Sequence, residues 1–506
     1  MENITRRKFI QTGSAAAIAA LIGCQTNRSL KFLKDDEKYN VLFIMTDQHN
    51  PRGMGCAGHP QIKTPNMDRL AKEGVRFENA YCQTGQCCPS RFSIFTGRYA
   101  HSHGCRFNSV IENPKEVTVA EIFKKAGYST ASFGKHHMML DMKYHGFDHV
   151  VDLPGYNEFM KSEGKPHSWW DGDFFPNWKE RFGLPAGTTH ADNDHHTAGF
   201  WKNQAIDYIR EHKSQPFCAW LSFFGPHMPY VASKPWMDLY DAKSLELPPN
   251  YEDLRKNVPQ ALTELRERTN DLTDDEMREV LKCYMAYTSQ IDYNIGCVLD
   301  ELDRLGIADK TIVVYTADHG DMMGEHRAFR KAVFNYEGTV GIPMLIRLPG
   351  VLPENVTINE LAGSIDLLPT LCDLTGLDFP ESVQGKSLVP LMQGKETKWR
   401  DVIFSEIGYP HPFPTGVCIM ARDKKFKYIY HDYIGKNFEE LFDLKNDPGE
   451  LKNLAENPNH KTTLDRLRNE VKLWNKNTDH APLYPMSEWK QQLTPEDFKN
   501  AAAKAG

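Results

Sequence analysis

Two continuous apolar runs end in the same way. Residues 41–45 (Val-Leu-Phe-Ile-Met) stop at Thr46-Asp47-Gln48, and residues 311–316 (Thr-Ile-Val-Val-Tyr-Thr) lead to Asp318-His319-Gly320. An unbroken apolar run of this length is the pattern of a parallel strand covered on both faces, and polar residues at its carboxyl end lie where open α/β sheets gather ligands. Further strands are predicted at 129–133, 217–223 and 343–346, with helices over 119–126, 198–213 and 276–305 between them. Such alternation predicts a large, mostly parallel sheet sandwiched by helices.

Residues 152–194, rich in Trp, Gly, Pro and His, read as a long surface insertion. Beyond a change in composition near 394–400, short patterns at 402–406, 415–422, 427–430 and 440–444 predict a small antiparallel sheet, closed by a helix over 462–474. No internal repeat is evident. The expected organisation is an export signal over 1–23, a linker over 24–39, a catalytic domain over 40–395 and an α+β subdomain over 396–506.

The apolar run at 15–23 is too short to span a bilayer as a mature helix and reads as a targeting segment. Thr5-Arg6-Arg7-Lys8-Phe9-Ile10 precedes it as a twin-arginine pattern, and Leu21-Ile22-Gly23-Cys24 follows as a lipobox. Together they resemble a bacterial export signal, which implies a periplasmic or membrane-anchored lipoprotein with Cys24 lipidated.

At 506 residues with 40% apolar and 25% charged content, the chain can bury a large core. The net charge of −7 becomes −9 without residues 1–23, which hold three basic residues and one acidic residue. A chain this acidic has no general attraction for nucleic acid or an anionic membrane, so membrane attachment is expected only through the lipid, and any anionic substrate must meet a local basic pocket. The eleven cysteines are scattered and form no regular disulfide framework. Cys283, Cys297 and Cys372 lie in apolar helical patterns, as small core residues do.

The adjacent pair Cys87-Cys88 belongs to Cys87-Cys88-Pro89-Ser90-Arg91, followed by Thr96-Gly97-Arg98. Here the chain resembles the formylglycine-dependent (type I) sulfatases of the alkaline-phosphatase-like superfamily, whose signature is C-x-P-S-R and then T-G-R. Later landmarks recur in order: Gly134-Lys135-His136-His137, Pro226-His227, Asp318-His319-Gly320, Lys331 and Asp443-Leu444-Lys445-Asn446-Asp447-Pro448.

The resemblance implies that Cys87 is oxidised to formylglycine by a formylglycine-generating enzyme before export, Cys88 filling the variable position. A hydrated aldehyde carries two hydroxyls on one carbon: one attacks sulfur, and the other, once deprotonated, expels sulfate and restores the aldehyde. Asp47, Gln48, Asp318 and His319 are implied as metal ligands, with the formylglycine at position 87. Mostly oxygen ligands favour Ca2+. The family often has Asp at the position of Gln48 and Asn at that of His319, which leaves Mn2+ or Mg2+ as alternatives.

Lys135 and Lys331 are implied to bind the sulfate, His137 to stand beside the formylglycine, His227 to serve the leaving-group oxygen, and Arg91 to orient the nucleophile. His136 is expected to face solvent. His101 and His103, with Arg106 close behind, either line the substrate mouth or form a capping turn with exposed histidines. Trp169 and Trp170 either stack on a sugar or pack within the insertion.

The implied activity is hydrolysis of a sulfate ester, on a sulfated carbohydrate or a small sulfate ester. Phosphonate monoester or phosphodiester hydrolysis is the alternative enzyme reading, because those substrates carry the same single charge. A non-catalytic surface lipoprotein is a third reading, which loss of a nucleophile or ligand position would mark. Every such position is filled.

Overall fold

The computed structural model describes residues 38–478 except 109, 254, 396, 409–416 and 434–435, so the export signal, Cys24 and most of the linker lie outside the described residues. In chain order, strands β1 (Asn40–Asp47), β2 (Val75–Tyr81), β3 (Ser129–Gly134), β4 (His149–Val151), β5 (Gly172–Phe174), β6 (Ala186–Thr189), β7 (Phe217–Pro226) and β8 (Tyr230–Ser233) come first. They are followed by β9 (Thr311–Ala317), β10 (Met344–Arg347), β11 (Val356–Gly363), β12 (Ile403–Gly408), β13 (Val417–Arg422), β14 (Phe426–Tyr433) and β15 (Lys436–Asp443).

Eight strands form one sheet in the order β11-β2-β10-β9-β1-β7-β3-β4. Only β10 runs against its neighbours, so the sheet is mostly parallel, as the continuous apolar runs predict. Alternate residues of β1 enter two different cores. Val41, Phe43 and Met45 pack on one side of the sheet, and Leu42 and Ile44 pack on the other. This double burial is why β1 shows no polar alternation.

Helices cover both faces. Asp274–Arg304, the longest, starts with a capping box in which Thr273 and Glu276 satisfy each other's backbone N–H groups. Helices Thr197–His212 and Val119–Lys125 also fall where the apolar periodicity places them. Cys283 and Cys372 are buried, as expected, whereas Cys297 is only partly so.

β2 and β11 escape the sequence patterns. β2 alternates polar and apolar side chains, and both strands depend on pairing with each other for their place in the sheet. The reading of residues 152–194 as a surface insertion needs correction. Tyr156, Met160, Trp178, Phe182 and Ala186 are buried in the same core as Leu42 and Ile44, and β5 and β6 join β8 in a three-stranded sheet. Aromatic side chains from this stretch fill space that the central sheet leaves open.

Strands β12–β15 form the antiparallel C-terminal sheet, with helix Lys461–Asn477 packed on it through Leu464, Leu467, Val471 and Trp474. No helix among the described residues is long and apolar enough to cross a membrane.

Candidate active site

Four neighbouring strands, β9, β1, β7 and β3, deliver their carboxyl ends to one place. Thr46 pairs with Ala317 across β1 and β9, which sets Asp47 beside Asp318. Asp47 pairs with Pro226 at the end of β7, the residue before His227, and Gly134 pairs with Ser222, which brings up Lys135. Parallel pairing thus gathers residues from four distant parts of the chain at one sheet edge.

The nucleophile candidate arrives on helix Cys87–Thr96, all ten residues of which are buried. Cys87 is its first residue, at the end where unpaired N–H groups favour negative charge. Its Sγ lies 2.9 Å from Lys331 Nζ, 3.2 Å from His319 Nε2, 3.7 Å from Asp47 Oδ1 and 4.0 Å from Lys135 Nζ. Burial and Asp47 oppose ionisation of the thiol, but Lys135, Lys331 and His319 outweigh them and hold its pKa well below the ordinary value.

Arg91, one turn further along the helix, is the hub of the site. Its guanidinium donates to Asp47 Oδ2 and Asp318 Oδ2, each at 2.9 Å, to Ser222 Oγ at 2.8 Å and to the Lys135 carbonyl at 2.5 Å. It thus clamps the two carboxylates beside Cys87. Lys135 Nζ also pairs with Asp47 Oδ2 at 2.5 Å and lies 4.2 Å from the centre of the Phe224 ring.

The side chains fit a divalent cation. Ligand atoms of Asp47, Cys87, Asp318 and His319 all lie within 4.8 Å of one another. His319 Nδ1 donates to the Gly320 carbonyl at 2.9 Å, which directs Nε2 at Cys87. The Gln48 amide nitrogen donates to Asp321 Oδ2 at 2.5 Å, which leaves Oε1 to face Lys331 Nζ at 3.1 Å. Gln48 has φ 63°, in the left-handed region that non-glycine residues rarely occupy.

Asp321 has no role in the sequence reading. It is fully buried, and besides Gln48 it accepts hydrogen bonds from Tyr230 Oη at 2.6 Å and the backbone N–H groups of Met323 and Arg330. It fastens a metal-ligand candidate to the loop that carries Lys331. Its place directly after Asp318-His319-Gly320 is the signal that could have revealed it.

A cavity of about 780 Å³ opens over Cys87, lined by Lys135, His137, Phe224, His227, Arg330 and Lys331 among others. His227 Nδ1 lies 2.5 Å from the Met228 carbonyl, so Nε2 presents a lone pair. Burial and the nearby Lys135 hold the His227 pKa well below its ordinary value. His137 is exposed on the cavity wall with φ 54°. His136, expected in solvent, instead bonds Ser132 Oγ through Nε2 at 2.7 Å, and burial lowers its pKa to about 3.

His101, His103 and Arg106 do not line the cavity, and both expectations for them are overturned because all three are buried. His101 Nδ1 and Arg106 Nη2 meet the Glu406 carboxylate of β12 at 2.6 and 3.2 Å, and His103 Nε2 meets Ser93 Oγ at 2.9 Å. They join the nucleophile helix to the C-terminal sheet. Trp169 is buried against Phe224, with ring centres 4.3 Å apart, whereas Trp170 is exposed beside Lys179.

Cys88 points away from Cys87's partners. Its Sγ lies 3.2 Å from Glu112 Oε1, and the same carboxylate accepts the backbone N–H groups of Met139 and Leu140 from the cavity wall.

The sulfatase family model matches residues 39–377, and a model described as N-sulphoglucosamine sulphohydrolase, C-terminal, matches residues 324–477. The chain is 32% identical over 458 residues to an arylsulfatase of Clostridium perfringens, covering 85% of this chain and 93% of that one. It superposes on a phosphonate monoester hydrolase from Silicibacter pomeroyi with TM-score 0.77 and 26% identity, over 87% of this chain and 96% of the other. The protein BT4656, solved with its substrate D-glucosamine-2-N,6-O-disulfate, gives TM-score 0.74 and 25% identity over 88% and 99% of the two chains. With the family match covering most of the chain and the sheet-edge site assembled as that fold requires, the protein belongs to the sulfatase family, the type I sulfuric ester hydrolases of the alkaline-phosphatase-like superfamily.

Proposed function

We propose that the protein hydrolyses a sulfate ester of a sulfated carbohydrate, using a formylglycine made from Cys87 and a divalent cation, Ca2+ first, at Asp47, Gln48, Asp318 and His319. The observation that carries this reading is the convergence of Lys331, His319, Asp47 and Lys135 on Cys87 Sγ, each within 4.0 Å. That sulfur stands in for the oxygen of the mature nucleophile. The sugar disulfate bound by BT4656 supports the carbohydrate substrate.

The cation would lower the pKa of the attacking hydroxyl and polarise a sulfate oxygen. The hydrated aldehyde would supply both the attacking oxygen and the second hydroxyl that releases sulfate. Lys135 and Lys331 place two ammonium groups at the nucleophile, where they offset the negative charge of a sulfate in both ground and transition states. Arg91 keeps Asp47 and Asp318 aligned. His227 Nε2 must take up a proton before it can give one to the leaving oxygen, and the charge of a bound sulfate favours that uptake.

The similarity to a phosphonate monoester hydrolase favours a second reading, in which the same lysines hold a phosphonate or phosphate diester. Turnover of 4-nitrophenyl sulfate against the monoester 4-nitrophenyl phenylphosphonate distinguishes the two. Export to the cell surface belongs to the proposal as well, because sulfated polysaccharides are too large to enter a cell first.

Mass spectrometry of the peptide spanning residues 85–91, from a host with the maturation enzyme, tests the nucleophile. An aldehyde at Cys87 and a thiol at Cys88 are expected. Cys87→Ala should abolish turnover, and Cys88→Ala should retain most of it. A fully active enzyme whose Cys87 remains a thiol refutes the proposal.

A further inference from the structure

Arg330 precedes Lys331 and lines the same cavity. No hydrogen bond or ion pair reaches its guanidinium among the described residues; its neighbour is the Phe182 ring, whose centre is 6.0 Å away. The other basic groups around the nucleophile are engaged differently: Lys135 pairs with Asp47, and Lys331 bonds Gln48 and Cys87. Arg330 is half-buried, so water satisfies its donors only in part. Burial and the nearby Arg268, whose charge also lies over Phe182 at 5.8 Å, outweigh Tyr230, Asp321 and Cys87 and hold its pKa below the ordinary arginine value. A cation kept this way gains most from a charged acceptor that enters with the substrate.

The backbone gives a second, independent sign. Arg330 has φ 74°, and Met323, His326 and Arg327 in the same loop also have positive φ. For an arginine this conformation costs on the order of 1–2 kcal/mol, and it persists only where surrounding contacts over-determine it. Here Asp321 Oδ1 accepts the Arg330 N–H at 3.0 Å, and Met322 N–H donates to the Arg330 carbonyl at 2.9 Å. The fold thus holds an energetically unfavoured arginine at the cavity wall, next to the lysine that meets the nucleophile.

We infer that Arg330 forms a second anion subsite, which takes another anionic oxygen group of the same substrate, a sulfate or a carboxylate on the sugar, while Lys135 and Lys331 hold the reacting sulfate. The planar guanidinium offers paired donors that match either group. This inference rests on the sulfatase reading and narrows its substrate class to sugars with at least two negative charges. Arg330 would set specificity and would not act on the reacting atoms.

The test uses binding to full-length Cys87→Ser protein, so that turnover does not interfere. The probes are glucosamine 6-sulfate, glucosamine 2-N,6-O-disulfate, glucosamine 3-O,6-O-disulfate and a sulfated disaccharide with a hexuronate carboxylate. At least one doubly charged probe should bind about ten-fold or more tightly than the monosulfate, the gain expected of one charge-assisted contact. The disulfate and hexuronate arms show which anion the subsite prefers.

In the Cys87→Ser/Arg330→Ala double variant that preference should fall to about two-fold or less, with monosulfate binding little changed; Arg330→Lys should retain part of it. Unchanged thermal unfolding shows that the loop is intact, and Arg330→Gln serves if Ala loosens it. The inference is overturned if no doubly charged probe is preferred, if the preference survives loss of Arg330, or if mono- and doubly charged probes weaken equally in a folded variant. Sulfate release from these same sugars by the mature enzyme with Cys87 intact reports separately on the sulfatase reading: no release from any of them or from 4-nitrophenyl sulfate refutes that reading, whereas release with no second-anion preference refutes only the subsite.

Discussion

Lys331 Nζ and Cys87 Sγ, 244 positions apart in the chain, meet at 2.9 Å. The cysteine comes from the start of a buried helix and the lysine from a loop pinned by Asp321, so two unrelated segments define one charged contact. Replacing Lys331 or Lys135 by Ala should lower kcat/KM by about 10²–10³-fold, with loss in kcat as well as KM because both charges serve the transition state. Steady-state kinetics alongside thermal unfolding check this; near wild-type kinetics in both variants would place the sulfate elsewhere.

Removal of divalent metal should abolish turnover, since the hydroxyl nucleophile is a weak acid without it. Activity should return on adding Ca2+, with Mn2+ and Mg2+ as comparisons. Asp318→Asn should weaken metal binding measured directly by calorimetry, because it removes one of two carboxylates from the donor set. Full activity in demonstrably metal-free enzyme would refute the metal role.

Gly134 has φ 101°, and a Cβ placed on it would stand 1.9 Å from the Ser222 carbonyl. The same carbonyl accepts the Lys135 N–H at 2.8 Å, so this close approach of β3 to β7 sets the position of the sulfate-binding candidate. Gly134→Ala should destabilise the protein by about 2 kcal/mol or more and sharply reduce turnover in whatever fraction folds. Thermal melts and active-site titration would reveal a tolerant backbone if neither effect is seen.

Glu406 is buried and bonded to His101 and Arg106. Burial opposes its ionisation, but His101 and Arg106 prevail and lower its pKa from 4.5 to about 2. Because the folded-state pKa is depressed, the stabilisation is fully present above pH 4.5 and is lost as pH falls towards 2. Glu406→Gln should cost about 3 kcal/mol at pH 7, leaving two partners unpaired. The gap between wild type and variant in chemical unfolding should narrow from pH 5 to pH 3, and a pH-independent gap would contradict the assignment.

Local patterns were sufficient for the central strands β1, β7 and β9, because burial on both faces demands unbroken apolar runs. They also marked Asp47 and Asp318 as polar ends of apolar runs, while the resemblance to the family's C-x-P-S-R signature marked Cys87 and Arg91. The weaker pattern of β2 did not identify it, since partly exposed side chains alternate there and its place depends on pairing with β10 and β11. The same limit explains His101, His103 and Arg106: a His-x-His beside an arginine has the composition of a binding site, and only the approach of β12 with Glu406 makes it a buried joint.

The sequence by itself determined the parallel-sheet architecture, through periodicity, and the family, through its motifs, and by that resemblance it pointed to a candidate nucleophile and candidate ligands. Tertiary structure alone decided which groups they meet. Arg91 clamps Asp47 and Asp318, Asp321 ties Gln48 to the Lys331 loop, and Arg330 lines the cavity with no acceptor for its guanidinium among the described residues. The reason is physical: burial patterns and turn chemistry act over a few residues, whereas hydrogen bonds and charge compensation in a buried site join groups hundreds of positions apart and exist only once the sheet has brought its strand ends together.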